Sequence, residues 1–382
     1  MHIDLLFCGD FAPCRRFEQF AIKHGDSLLG EFAGVVQSAD VSFVNLECPL
    51  TRRNVAINKS GPCLKADPAC VEVIKGFSVV GLANNHILDF GREGLVDTVQ
   101  TCEQAELPTV GAGLNISQAR EPYLVESKGK SIAIIAIAEH EFNQAKTGCA
   151  GSAPLNLVDN FRQIKDAQEK AEIVVVTIHG GNEYFPFPRP GLRKVCQHFV
   201  ELGVDAVVCH HAHVPGAYEI YEGKPIVYSL GNFVFDSHNP PKDWNRGYAA
   251  RIRVGVDETS SSSIELLPYV QSIADRGVKL LQDAEKSAFL EEIEACRAVL
   301  ASDHEWKQKW AQFVEKKSNL YILRQFFPFT MRGLGFLARN TPLARLFYNR
   351  PNSLDKLNLL RCQSHRELLI AILESRSKPR ND

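Results

Sequence analysis

The stretch VDAVVCHHAHVPGAYEI (204–220) decides how this chain is read. It begins with an apolar run, Ala206 to Cys209, that has the length and composition of a buried strand. The run ends on three histidines within four positions, His210, His211 and His213. In extended chain, side chains two apart share a face, so an H-x-H element directs two imidazoles toward one point. Imidazole is the commonest metal-binding side chain near neutral pH. A histidine-rich surface loop is the alternative, and the rest of the chain decides between the two.

Working outward, the same pattern recurs. Strands are expected at Ile3 to Cys8, Val41 to Leu46, Phe77 to Leu82, Ser131 to Ala138, Ile173 to Ile178 and Ala206 to Cys209. Helices are expected near Leu28 to Ser38, Gly94 to Ala105, Leu157 to Lys170 and Leu192 to Leu202. Such alternation marks an α/β layer fold, read from pattern alone as an open parallel sheet. From Gly216 to Val270 the chain reads instead as antiparallel strands, with a turn at Glu222-Gly223 and a polar tip at Thr259 to Ser263. Asp10, Asn45, Glu47, Asn84, Asn85, His86, His179 and the histidine triplet all fall at C-terminal strand ends, the edge where α/β sheets take ligands.

Composition narrows the class. At 382 residues the chain can hold one large α/β core plus an appendage, divided here as 1–272 and a mostly helical extension, 273–382. Its 45% hydrophobic and 23% charged content is that of a soluble globular protein, and a formal charge of −2 gives no sign of nucleic-acid affinity. The 11 cysteines include no C-x-x-C pair, so neither a disulfide framework nor a cysteine zinc site is indicated. A reducing compartment, the cytoplasm, is expected. The opening MHIDLLFCGD is too short and acidic for a signal peptide, and no run of apolar residues is long enough to span a membrane. In the extension, LRQFFPFTMRGLGFLARNTPLARLFYNR (323–350) combines five arginines with many Phe and Leu and no acid. A helix packed on the core, with its arginines facing water, is the favoured reading. Peripheral contact of 322–350 with an anionic membrane face is the other.

A two-metal hydrolytic site needs a carboxylate between two cations, neutral N or O donors around them, and an acid for the leaving oxygen. Asp10 follows Gly9, which lets the backbone turn at the strand end. Asn45 lies two positions before Glu47 in NLECPLT (45–51) and shares its face. The segment GLANNHILDFGREG (81–94) is the most specific, because adjacent asparagines and a histidine are poor local structure formers without a tertiary use. Asn85 offers an amide oxygen to a metal. His86 is the candidate acid, and Asp89, three residues on, can hydrogen-bond its ring and fix the tautomer. His179 precedes Gly180-Gly181, which clear space near the backbone. Glu183, Tyr184 and Arg189 lie in a proline-braced loop expected to contact substrate, with Arg189 as an anion clamp. Ser229, Asn232 and Asp236 in YEGKPIVYSLGNFVFDS (221–237) are candidates for outer support.

Taken together, GDFAP (9–13), NLECPLT (45–51), ANNHILDFG (83–91), HGGNEYFPFP (179–188) and HHAHVPGAYEIYEGKPIVYSLGNFVFD (210–236) resemble the bacterial CapA family of capsule, or poly-γ-glutamate, biosynthesis proteins. That family is similar to the calcineurin-like metallophosphoesterases. The resemblance implies a four-layer β-sandwich flanked by helices in place of an open sheet. It also implies Asp10 and Glu47 as carboxylate ligands, with Asn85, His179 and His211 on one metal and His213 on the other. His86 and Asp89 would be the acid and its orienting partner. One or two divalent transition ions (Mn, Fe, Zn or Co) are the implied cofactor. Two departures stand out. Where the wider superfamily has Asp-x-His, Asp10 is followed by Phe11 and Ala12, so one metal site lacks an imidazole. His210 replaces a customary glycine and is read as structural or substrate-facing.

Two function classes follow. One is a metal-dependent hydrolase acting on a phosphoester, or on an amide or γ-glutamyl bond, of a small molecule or anionic polymer. The other is a non-catalytic accessory in making or exporting an anionic surface polymer.

Overall fold

Along β1 (His2–Ala12) the side chains alternate between two apolar layers. Ile3, Leu5 and Phe7 face a core shared with a second sheet, while Leu6 and Cys8 face a core shared with helices. That double burial sets the architecture: a strand apolar on both faces needs cover on both faces. The computed structural model describes residues 2–59, 61–237, 240–255, 262–272 and 277–326. The polar tip at Thr259 to Ser263 falls largely outside them. The arginine-rich stretch 323–350 lies almost wholly outside, and the amphipathic stretch around Leu368 to Leu373 entirely so.

In the first sheet, β1 lies between β2 (Val41–Leu46) and β14 (Arg246–Gly255). Beyond β2 come β3 (Val79–Gly81) and β4 (Thr109–Val110), all parallel to β1. Beyond β14, antiparallel to β1, come β15 (Ser263–Ser272) and β16 (Gly277–Leu280). At its far end β1 also takes β13 (Asn232–Phe235) as a parallel partner.

The second sheet holds β9 (Ile173–His179) at its centre, parallel to β7 (Lys130–Ala138) and β10 (Ala206–His210). Its edges are β6 (Tyr123–Ser127) on one side, and β12 (Lys224–Val227) then β11 (Tyr218–Tyr221) on the other. A short ribbon pairs β5 (Ala112–Gly113) with β8 (Gly151–Ser152). The turn between β11 and β12 puts Glu222 and Gly223 at φ 47° and 76°, the left-handed pair a tight hairpin demands.

The sheets meet through Ile3, Leu5, Phe7 and Phe43 on one side and Ile132, Ile134, Val175 and Val208 on the other. Outside the first sheet lie α1 (Arg16–His24), α2 (Phe32–Gln37) and α3 (Gly91–Gln104), with α4 (Ile116–Arg120) against the β5–β8 ribbon. Outside the second lie α5 (Leu157–Gln168) and α6 (Pro190–Glu201), burying Ile164, Leu192, Cys196 and Phe199. The result is the expected four-layer α/β sandwich, helices over sheet over sheet over helices.

Two differences from the sequence reading have physical causes. The single helix expected from Leu28 to Ser38 is a 3-10 turn, Gly25–Leu29, followed by α2, because Gly30 breaks the chain at φ 52°. Two strands in the region read as antiparallel, β12 and β13, are parallel to β10 and β1. The first compact unit runs Met1–Trp306. There α7 (Asp283–Ala301) lies along β11 and β15 and sends Phe289 and Ile293 into the inter-sheet core. The second unit, Lys307–Asp382, contains the remainder of α8 (Asp303–Phe326). Among the described residues no helix is long and apolar enough to cross a membrane.

Candidate metal centre

The C-terminal ends of β1, β2, β3, β9 and β10 gather at one edge of the sandwich, and the chain places its polar residues there. Asp10 sits where β1 changes partners: the register shifts on both the β2 and β13 sides at this residue. Gly9 permits the change, because a Cβ there would collide with the Gly231 carbonyl oxygen. Glu47 directly follows β2 and is fully buried. His211 and His213 both adopt left-handed backbone, φ 93° and 59°. Non-glycine residues are held there only when the surroundings over-determine them, at about 1–3 kcal/mol each, which points to a tertiary use for these imidazoles.

Two donor sets share Glu47. Asp10, Glu47 and His179 place ligand atoms within 4.8 Å of one another, and so do Glu47, His211 and His213. Glu47 Oε1 lies 3.5 Å from His179 Nε2 and 3.6 Å from His213 Nε2. Neither Glu47 oxygen accepts a hydrogen bond, although the residue is completely buried. An unpaired buried carboxylate is costly, and a cation between it and the imidazoles removes that cost. The donors are oxygen and imidazole nitrogen with no thiolate, a set compatible with a divalent metal ion. Within these sets His211 falls with His213, and His179 with Asp10. His179 and His211 nevertheless touch, Nε2 to Nδ1 at 3.1 Å.

The electrostatics agree. Burial and then the charges of Asp10, Glu183 and Glu141 push the Glu47 carboxyl well above its usual range. For Asp10, burial acts upward but is outweighed by His210, His179 and His213, which hold the carboxyl well below the usual range. Burial, followed by the charge of His211, pushes His179 well below an ordinary imidazole, and burial lowers His213 as well. The neutral imidazole, the metal-binding form, is thereby favoured.

Around this centre the supporting contacts are short. Asn85 donates Nδ2 to Glu141 Oε2 at 3.2 Å, leaving Oδ1 turned inward at 2.9 Å from His179 Nε2. His86 Nδ1 is 2.7 Å from Asp89 Oδ2, and its Nε2 faces Glu47 Oε1 at 4.0 Å. His213 Nδ1 meets Asn232 Oδ1 at 2.9 Å, and Ser229 Oγ donates to Val214 O at 2.7 Å. Asp236 pairs with Arg16, away from the donors.

The residues expected to contact substrate divide. Asn45 is buried and donates to Asp10 Oδ1 at 2.7 Å, so it braces a carboxylate and is not at the surface of the site. Glu183 and Tyr184 are exposed at the mouth, Tyr184 on left-handed backbone at φ 65°. Burial and the neighbouring Glu183 push the Tyr184 phenol up to about 12. Arg189 donates to Glu139 Oε1 at 2.5 Å, so its guanidinium is spent on a carboxylate where an open anion clamp was expected. His210 is buried on Phe43 with Nδ1 3.3 Å from Asp10 Oδ1, outside both donor sets. The sequence reading missed Glu141 and Lys59, whose ammonium lies 3.2 Å from His86 Nδ1. No periodicity marks either residue; only the excess of acids after β7 could have hinted at Glu141.

Fold and site together define a class: a two-sheet sandwich with buried carboxylates and imidazoles gathered on its strand ends. The chain belongs to the bacterial capsule synthesis protein family PGA_cap, whose model matches residues 4–237. It is 30% identical over 270 residues to the PGA biosynthesis protein CapA of Bacillus subtilis, covering 69% of this chain and 70% of that one. It is 27% identical over 279 residues to the capsule biosynthesis protein CapA of Bacillus anthracis, covering 70% and 67%. Among solved structures it is similar to a phosphatase from Mycoplasma pneumoniae (TM-score 0.45, 14% identity, 71% of this chain and 94% of that one). A putative 5′-nucleotidase from Staphylococcus aureus gives a TM-score of 0.44 at 14% identity, over 77% of this chain and 58% of that one.

Proposed function

We propose that the chain is a metal-dependent hydrolase of the phosphoesterase type, acting in the cytoplasm or at the inner membrane face on a small or polymeric anionic substrate. The observation that carries this reading is Glu47, a fully buried carboxylate without hydrogen bonds, shared by two donor sets. Asp10, Glu47, His179, His211, His213 and the Asn85 amide oxygen would hold the ions. When bound, one or two divalent ions supply Lewis-acid polarisation and an activated water. The chain's own residues do the rest. Asn45 fixes the Asp10 carboxylate, and Asn232 fixes the His213 ring. His86, whose Nδ1 is held by Asp89, turns Nε2 inward as the atom that would deliver a proton to the leaving oxygen. Glu183 and Tyr184 stand at the entrance, where substrate would pass.

Metal analysis of protein purified without chelators, followed by a panel of phosphoesters, amides and γ-glutamyl peptides with added manganese, tests the reading. Bound transition metal with turnover on phosphoesters supports it. Turnover confined to amides changes the bond, and absence of both metal and turnover overturns the reading.

One observation favours the accessory role. Ala12, where the superfamily pattern has histidine, is buried against β13 and offers no donor. His86→Ala separates the two: loss of the biological role at unchanged metal content supports catalysis, and an unaffected role supports use as a scaffold.

A further inference from the structure

The described residues from Arg52 to Lys65 have no regular secondary structure, yet they fold around one residue of the site. Its neck is closed by Thr51 N–H donating to Ala66 O and Ala66 N–H donating to Pro49 O. Inside it, three groups converge on Asp89. Ile57 N–H donates to the Asp89 carbonyl at 2.9 Å, Leu64 N–H donates to Oδ2 at 2.6 Å, and the Lys59 ammonium pairs with Oδ1. The Lys59 side chain is only 2% exposed and that of Asp89 fully buried. Lys59 is the one lysine or arginine within ion-pair reach of Asp89 among the described residues. Its ammonium also stands 3.2 Å from His86 Nδ1 and 3.5 Å from Asn85 O.

A lysine buried this completely is rare unless paired, because its ammonium must be matched by acceptors on leaving water. Here its acceptors are Asp89 Oδ1 and Asn85 O, both in the Asn85–Asp89 segment, since His86 Nδ1 is already engaged with Asp89 Oδ2. A lysine serving the fold alone would pair wherever a surface carboxylate lay; this one is carried inward by a loop that has no other buried charge to match.

We propose that Lys59 is a positioning residue for His86. It holds the Asp89 carboxylate by Oδ1, so that Oδ2 stays aligned on His86 Nδ1 and the ring presents Nε2 toward Glu47. The inference rests on the hydrolase reading for its kinetic consequence, but the ring geometry is measurable without turnover. Lys59 acts through Asp89 and does not touch substrate.

The test uses the full chain, metal-loaded with manganese for kinetics and metal-free for nitrogen-15 spectra of the histidine rings. Lys59→Met is expected to lower kcat by roughly 10–100-fold with KM within twofold, and to abolish the hydrogen-bonded Nδ1 signal of His86. Lys59→Arg, which keeps a cation in the loop, restores part of both. Because Lys59→Met strands a buried carboxylate and can impair folding, Lys59→Met/Asp89→Asn is made alongside Asp89→Asn. A residue acting only through Asp89 makes the double variant no slower than Asp89→Asn alone. The proposal is overturned by a Lys59→Met protein with an unaltered His86 ring signal, by an effect on KM alone, or by additive losses in the double variant. If the wild-type protein hydrolyses nothing, the hydrolase reading falls and the ring spectra alone decide the role of Lys59.

Discussion

Glu47 Oε1 lies 3.6 Å from His213 Nε2, although Glu47 leaves the first sheet and His213 follows a strand of the second. The carboxylate has no hydrogen bond and the imidazole is anchored from behind by Asn232, an arrangement compatible with a cation between them. Glu47→Gln removes the charge at nearly constant volume. We expect it to lose most bound divalent metal by elemental analysis, while the metal-free protein melts no lower than wild type, since an unpaired buried carboxyl has been replaced by a neutral amide.

Acid should destabilise the metal-free protein early. His179 and His213 both sit below the ordinary imidazole value of 6.5, for which burial is the leading cause. Above that value neither folded nor unfolded chain is protonated at these rings, so they contribute nothing. Below it the unfolded chain takes up protons that the folded one refuses, and stability falls as pH drops, by up to about 1.4 kcal/mol per pH unit for each ring. Denaturant melts from pH 7.5 to 5 should therefore decline from about pH 6.5 downward. Glu47, whose raised carboxyl keeps a proton that the unfolded chain releases above the ordinary 4.5, tilts the profile the other way, so the decline is read in Glu47→Gln protein; a flat profile there would contradict the assignment of buried, neutral imidazoles.

His86→Ala should leave metal content unchanged and lower turnover by about 10²–10⁴, the range for losing a general acid. The ring touches Asp89 and faces Glu47 from 4.0 Å, outside both donor sets. Loss of metal in this variant would move His86 from acid to ligand.

Trp306 ties the start of α8 to the loop at the mouth of the site. Its indole N–H donates to Pro188 O at 2.9 Å, and the Arg193 guanidinium stacks over the ring at 4.6 Å. Trp306→Ala should cost about 3–5 kcal/mol in denaturant melts, the usual loss for a buried aromatic. Amide exchange in 182–190 should accelerate in the same variant.

Much of the candidate site is legible because each candidate donor follows an apolar run. Asp10, Glu47, Asn85, His179 and the H-x-H pair were found by asking which strands end in groups unsuited to loops. The sandwich itself was not legible from pattern: strands buried on both faces read alike whether the second cover is a helix layer or another sheet, and the family resemblance supplied that distinction. Lys59 escaped because a loop without period gives no hint of direction. Asn45 and Arg189 sit differently from the expectation for the opposite reason. Their chemistry suits substrate contact, but Asp10 and Glu139 claim them first, and pairing between distant segments is not written locally. The helical spacing of Phe289, Ile293 and Leu300 was visible, yet nothing in it says that α7 completes the inter-sheet core.

The switch of β1 from an antiparallel neighbour to a parallel one happens at the residue that carries the Asp10 carboxylate. Inserting or deleting a single residue between Phe7 and Ala12 would turn that carboxylate to the opposite face and at the same time unseat the strand from β13. Length there is as strictly fixed as chemistry. Variation among descendants of this chain should accumulate in the loops around that seam, never within it.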